Sequence, residues 1–355
     1  MNQLSSNWSA TPPSRFGKHA VSRVQQNGLT MVELLVALVI SLLISLAAIS
    51  ALTVTRQGFN TVDASSQLRD NVRFTTDLLQ RLGVQSGYKD TLYAGASAPP
   101  SAAGLPPNPD PNITGFNNAL IDGTDPLNTS TARTVGIDGF GSDILILRYQ
   151  AVETFPGSGI SDGSMIDCAG NSATAIPADR YDRMVSIIHV AVSQGEPSLM
   201  CSYSATGAAP FSTQPIIRGV ENFQVLYGVR DVVAGTAPAT AAAATGDSAP
   251  DRYLRADQMT VASDPVGTND NWRRVTSLRI GLVVRGPLNS QQEKVSQTFY
   301  PFGVAKASSS GAKGSALSQT VASALDPGSI FTPAVDGRLR QVATFTVHLR
   351  NHQGL

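Results

Sequence analysis

Four groups of residues in this 355-residue sequence have types and spacings that could do chemistry. The first is the run Gly28-Leu29-Thr30-Met31-Val32-Glu33, whose carboxylate stands at the edge of 22 residues, 34 to 55, without Asp, Glu, Lys or Arg. A cut after Gly28 would make Glu33 the fifth residue of a new N-terminus. The second is the pair Cys168 and Cys201. The third is the set of histidines His19, His189, His348 and His352, which are scattered; His189 and His348 read as strand residues. The fourth is Asp122, Asp125 and Asn128, close enough in a loop to suggest Ca²⁺ but outside the EF-hand pattern, and better read as a solvated turn. Gly-x-Ser-x-Gly and Gly-x-Gly-x-x-Gly are absent in the strand-to-helix context that gives them meaning. These residues offer no catalytic constellation and no cofactor site.

The element that must position Glu33 is the apolar segment. Residues 34 to 55, rich in Leu, Ile, Val and Ala and free of Pro, make a helix of roughly 33 Å, enough to cross a bilayer core of about 30 Å. Ser41, Ser45 and Ser50 can return their hydroxyls to the backbone without spoiling the span. Arg15, Lys18 and Arg23, with no acidic residue among residues 1 to 28, keep that end in the cytoplasm and place the rest of the chain on the far side. A secretory signal would be cut after its apolar stretch, and Ala47-Ala48 and Ser50-Ala51 are small enough. Yet the run Leu29 to Val54 exceeds the usual apolar region of roughly 7 to 15 residues. An uncleaved anchor stays open on spacing alone. Neither reading accounts for Glu33, since a membrane carboxylate costs about 2.5 to 3.5 kcal/mol at the centre, less near the interface, and marks a function.

Beyond Arg56, Leu68, Val72, Thr75, Leu79 and Leu82 follow the 4-3-4-3 spacing of an amphipathic stripe, with Arg69, Asp70, Arg73 and Asp77 off it. One helix is expected from Leu29 to about Leu82, weak at Gly58 and stopped by Gly83 or Gly87. Strands are expected at Ile144 to Tyr149, Met184 to Val192, Val220 to Val229, Val275 to Arg285 and Leu339 to Leu349. Residues 94–135, 231–250 and 305–335, rich in small and turn-forming residues, read as long loops. A helix followed by a run of strands argues an α+β fold with an antiparallel sheet packed on the helix. Cys168 and Cys201, both on the exported side, are expected to pair as a disulfide. No His or further Cys accompanies them at metal-ligand spacing. Loss of residues 1–28 would bring the net charge from zero to about −3, and no basic patch argues for nucleic acid.

The stretch Gly28 to Ala37 resembles the class III leader and cleavage motif of type IV pilins and pseudopilins. The resemblance implies that a prepilin peptidase cuts between Gly28 and Leu29 and methylates the new amino group of Leu29, where the family usually has Phe. Glu33 would then pair with the Leu29 amine of a neighbouring subunit and set axial register in a helical fibre. Three later segments narrow the resemblance to the PilW family of minor pilins. Ile217 to Gly228 is similar to its "GVE…YG" strand, and Trp272 to Ile280 to its "W..V..VR" strand. Asp336-Gly337-Arg338-Leu339-Arg340, with Thr344 to Asn351, is similar to its "DGRLR…T…LRN" ending.

What this implies is a cytoplasmic leader at 1–28, a transmembrane and fibre-core helix at 29–55, its amphipathic continuation at 56–83 and a periplasmic β-rich domain at 84–355. The chain would sit in the inner membrane, N-terminus inside, and then in a type IV pilus, near its tip. It would prime assembly with other minor pilins, the major pilin, the prepilin peptidase and the inner-membrane platform protein as partners. Three rival readings are a minor pseudopilin of a type II secretion system, a tip-displayed binding protein using the loops, and an enzyme with a membrane anchor, which the lack of a catalytic motif disfavours. The loops' low aromatic density argues against a strong binding hot spot.

Overall fold

The computed structural model describes residues 28–90, 110–178, 181–238, 249–304 and 328–351. Arg15, Lys18, Arg23, His19 and His352 lie outside them, as do parts of the three expected loops. By its internal contacts the chain divides into two units, Met1–Thr55 and Arg56–Leu355.

Helix α1 spans Met31–Gln85, 55 residues without a proline. In the first unit its residues 31–55 are exposed throughout. Most of their hydroxyls bond back to the helix: Ser45 Oγ donates to the Ser41 carbonyl and Thr55 Oγ1 to that of Ala51, each at 2.8 Å. Ser50 Oγ donates to Ala47 at 2.8 Å. Such back-bonding is what a helix surrounded by hydrocarbon requires. This is a helix long and apolar enough to cross a membrane.

The helix passes through Gly58 and Gly83 without a break, so of the two candidate stops Gly83 is not the one used. Gly83 serves packing instead, because a Cβ there would lie 2.6 Å from Val347 Cγ1. Termination falls at Gly87, in the left-handed region (φ +74°), whose N–H donates to the Arg148 carbonyl at 2.8 Å. In the second unit the helix buries Ala64, Leu68, Thr75, Leu79 and Leu82, while Val72 is half-buried. Each fully buried Leu contributes about 1.5–3 kcal/mol relative to exposure.

Two main sheets, both antiparallel throughout, build the rest of the second unit. Five strands run in the order β1(Ile113–Phe116), β4(Ile144–Tyr149), β5(Met184–Ser193), β6(Glu196–Ser204), β7(Ser212–Arg218). Four run in the order β11(Arg340–His348), β10(Val275–Arg285), β8(Val220–Val229), β9(Arg252–Leu254). A small hairpin pairs β2(Ala119–Ile121) with β3(Ser130–Ala132). One turn, α2(Ala256–Met259), and a short helix, α3(Pro265–Trp272), follow β9. The fold is α+β, as the order of patterns implied, but with two sheets rather than one.

The loop expectation for 94–135 fails over its described part, where β1, β2 and β3 form. Strands of three or four residues with Gly, Thr and Ser carry too little periodicity to be recognised locally. Strands β6 and β7 also went unexpected, hidden by Pro197 and Pro215, by the buried serines of β6 and by the mostly exposed, polar start of β7.

One core cluster joins the helix to both sheets through Leu68, Leu79, Leu82, Leu145, Leu147, Phe223, Val225, Leu278, Ile280, Leu282 and Val347. The unbroken apolar run of β4 has a simple cause. Leu145 and Leu147 enter this core, while Ile144 and Ile146 face a second cluster with Val185 and Ile187, into which Ala119 and Ile121 of the small hairpin pack. Both faces of β4 are covered, so period-two alternation disappears.

Asp143 ties the five-stranded sheet to β8. Its N–H donates to the Phe223 carbonyl at 2.8 Å, and its Oδ2 accepts from Val225 N–H at 2.8 Å.

Candidate functional site

The carboxylate singled out by the sequence sits at the start of α1. Gly28, Leu29 and Thr30 precede the helix and are exposed. A Cβ at Gly28 would meet nothing within 4 Å, so the bond after it is open to an approaching enzyme. Thr30 N–H and hydroxyl donate to Glu33 Oε2 at 3.0 and 3.1 Å, and Glu33 N–H donates to Thr30 Oγ1 at 3.3 Å. This is a reciprocal capping box, Thr-x-x-Glu, whose signal was present in the sequence and was not used there. Glu33 is therefore held within its own chain, on the first turn, where the helix dipole favours a negative charge. It remains exposed and able to accept a cation from outside.

Cys168 and Cys201 form a disulfide with Cα atoms 5.6 Å apart. Both are buried in the main core, Cys201 on β6 and Cys168 in the chain before β5. Replacing both by Ser is expected to destabilise the second unit by roughly 3–4 kcal/mol, from the unfolded-chain entropy of a loop of this length. Chemical denaturation of the wild type and the double variant checks this; equal midpoints would contradict it.

The other segments marked by the sequence converge on one charge network. Glu221 opens β8, Arg285 ends β10, and Asp336, Arg338 and Arg340 lead into β11. Arg340 Nε and Nη2 donate to Glu221 at 2.5 and 3.0 Å, and its Nη1 and Nη2 donate to Asp336, both at 2.8 Å. Arg285 reaches Glu196 at 2.6 Å and Glu221 at 3.0 Å. Arg338 reaches Glu196 at 3.1 Å and donates to the Gly286 carbonyl at 3.0 Å. Three guanidiniums face three carboxylates, so the group is neutral as a whole. Glu196, at the β5–β6 turn, brings the five-stranded sheet into it. Nothing in the local sequence marked Glu196 or Arg285.

Gly219 explains the glycine of the "GVE" segment. It sits at φ +83°, its N–H donates to Pro197 O at 2.7 Å, and a Cβ would lie 2.5 Å from Arg285 O. Tyr227, from the same segment, and Trp272, which opens the second marked segment, meet edge to face with centroids 4.7 Å apart.

Electrostatics follow from these contacts. Burial raises the Glu196 carboxyl, but bonding to and charge on Arg285 and Arg338 outweigh it and hold it below its ordinary value. Burial likewise opposes Asp336, and Arg340 prevails in the same direction. Burial lowers the Arg285 and Arg340 guanidiniums, yet their carboxylate partners hold both above the ordinary value. His189, on β5, donates to or accepts from Ser202 Oγ at 3.0 Å and has no partner at Nδ1. Burial, with Arg133 adding, pushes it down to about 4.

His189, Glu196 and Asp336 each bind a proton less readily folded than unfolded. Stability is therefore full above about pH 6.5 and falls with pH, first through His189 between about 6.5 and 4, then through Glu196 and Asp336. The His189 share is on the order of 3 kcal/mol. Urea midpoints at pH 7 and pH 5 should differ in the wild type, and differ less in His189→Leu.

Asp122, Asp125 and Asn128 form a hydrogen-bonded turn. Asp122 Oδ1 accepts from Thr124 N–H at 2.7 Å, and Asn128 Nδ2 donates to Asp125 at 3.1 Å. Among the described residues no group of three or more His, Cys, Asp or Glu is placed to hold a metal ion.

Comparison with known proteins gives two family matches. Residues 187–351 match the model of type IV pilus-assembly protein W, and residues 23–49 match the prokaryotic N-terminal methylation motif. The first covers β6 to β11 and part of β5, including the charge network; the second covers the capping box. Among solved structures, a type IV-like pilin from Thermus thermophilus is similar at 15% identity and a TM-score of 0.34, over 79% of this chain and 95% of that one. No curated protein sequence matches.

Proposed function

We propose that this chain, which belongs to the PilW family of type IV pilus-assembly proteins, primes fibre assembly as a minor pilin once its leader has been removed. The prepilin peptidase cuts between Gly28 and Leu29 and methylates Leu29. Residues 29–55 then pass from the inner membrane into the fibre core, with 56–83 as the helix continuation and the β-rich remainder in the periplasm. The partners are other minor pilins, the major pilin and the inner-membrane platform protein, and the site in the fibre is near its tip.

The observation that carries this reading is the start of α1: an exposed Gly28–Leu29 bond, five residues before a carboxylate, on a helix whose next 22 residues carry no charge. No reaction of the chain's own is needed, because the work is subunit packing. Loss of surface fibres on deleting the gene, seen by electron microscopy and reversed by the wild-type gene, is the expected result. Normal fibres with impaired export of secreted enzymes would move the chain to a secretion pseudopilin. Normal fibres that attach poorly would move it to a tip-displayed binder.

A further inference from the structure

A cleft of about 490 Å³ lies among β1, the β2–β3 hairpin, α2 and α3, away from the helix start and the charge network. Its size is that of a small-molecule site. At one end stand Asp110, Pro111 and Arg148.

The charges there do not balance. The Arg148 side chain is 4% exposed, and its carboxylate partner, Asp110, is half exposed and 3.5 Å away. Its Nη1 donates to Pro111 O at 2.8 Å and to Thr114 Oγ1 at 3.2 Å. Arg183, 7% exposed, donates through Nη1 to Asp110 O and Asn112 Oδ1, both at 2.8 Å. No carboxylate lies within salt-bridge distance of it among the described residues, and its Nε is buried without a partner. Asn112 Nδ2, beside it, is a second buried donor without an acceptor. Arg148, which lines the cleft, thus has one loosely held carboxylate partner, and Arg183, which does not line it, has none among the described residues. Burying unpaired charge and unmet donors is costly, and an anion docked at this end would relieve the charge. Asp257, also on the cleft wall, is already paired with Arg255 at 2.9 Å and does not offset the excess.

The rest of the wall fits a hydroxylated ring. Phe116 and Trp272 supply apolar aromatic surface, and Asn128, Thr260 and Asn269 supply amides and a hydroxyl. We propose that this cleft binds a small hydroxylated carboxylate of the sugar-acid class, its carboxylate at Arg148 and its ring toward Phe116. This goes beyond the assembly role and does not depend on it.

Isothermal titration of the full chain in detergent with galacturonate, and with galactose as the uncharged control, tests it. Galacturonate should bind at least about tenfold more tightly than galactose. Arg148→Gln should remove that difference. Asp110→Asn, a change at an exposed side chain that competes for Arg148, should tighten galacturonate several-fold and leave galactose unchanged; it keeps the test decisive if Arg148→Gln does not fold. Galacturonate binding no tighter than galactose, or weaker or unchanged in Asp110→Asn, would overturn the assignment.

Discussion

Glu33→Ala is expected to be cleaved like the wild type and to be depleted at least about tenfold from sheared fibres. On the proposed reading cleavage depends on the bond after Gly28, an exposed residue where an added Cβ would meet nothing within 4 Å among the described residues. Incorporation depends on charge. If the chain is processed as proposed, the α-amino group freed at Leu29 is a cation that must enter an apolar fibre core, and a neighbour's Glu33 would be the carboxylate that neutralises it. Removing one partner of a desolvated pair costs about 3–5 kcal/mol, because the other charge stays behind unpaired. Only 1.4 kcal/mol corresponds to a factor of ten. The capping box makes a second contribution: without Glu33, the Thr30 N–H and hydroxyl lose their acceptor and the first turn frays. Immunoblots of membranes and fibres, with the mass of the processed chain, separate the two steps. Wild-type abundance of the variant in fibres would end the register model, and an uncleaved chain would show that Glu33 is read by the peptidase.

The largest loss of stability is expected at Glu221. Glu221→Ala should destabilise the second unit by about 3–5 kcal/mol and lower its melting temperature on the order of 10 °C. Its carboxylate is 9% exposed and accepts from both Arg285 and Arg340, themselves 13% and 5% exposed. Truncation leaves three largely buried guanidiniums, Arg285, Arg338 and Arg340, with only two carboxylates, Glu196 and Asp336. Asp336→Asn, at a position 22% exposed, should cost much less, since water reaches that carboxylate. Thermal melts of both variants by circular dichroism check the ranking. Equal, small shifts would mean that the network is solvated and contributes little.

The two predictions differ in how far the sequence alone could reach them. Glu33 was legible because its significance is one-dimensional: a carboxylate at a fixed spacing from Gly28 and from 22 uncharged residues. The helix, the amphipathic stripe and five strands were legible for the same reason, since each is written in local periodicity. The sequence left Gly83 and Gly87 as alternative stops because both look like terminators locally; the chain turns at Gly87, and Val347, more than 260 positions away from Gly83, needs that glycine as a space. The strands inside 110–135 were missed because their stability comes from neighbours: β1 exists by pairing with β4, and the β2–β3 hairpin by covering Ile144 and Ile146.

By itself, then, the sequence determined the leader motif, the membrane-length helix with Glu33 at its rim, the α+β class and the pairing of its two cysteines, because these depend on composition, spacing or the count of thiols. Only the tertiary structure decided that two main sheets build the described part of the domain, that Glu196 and Arg285 complete a neutral network with Glu221, Asp336, Arg338 and Arg340, and that Arg148 lies buried with one loosely held carboxylate while Arg183 lies buried with none at salt-bridge distance among the described residues. Those arrangements join residues up to about 140 positions apart. Whether a charge is paired or stranded is set by the few ångströms around it, and that distance is a property of the packed chain.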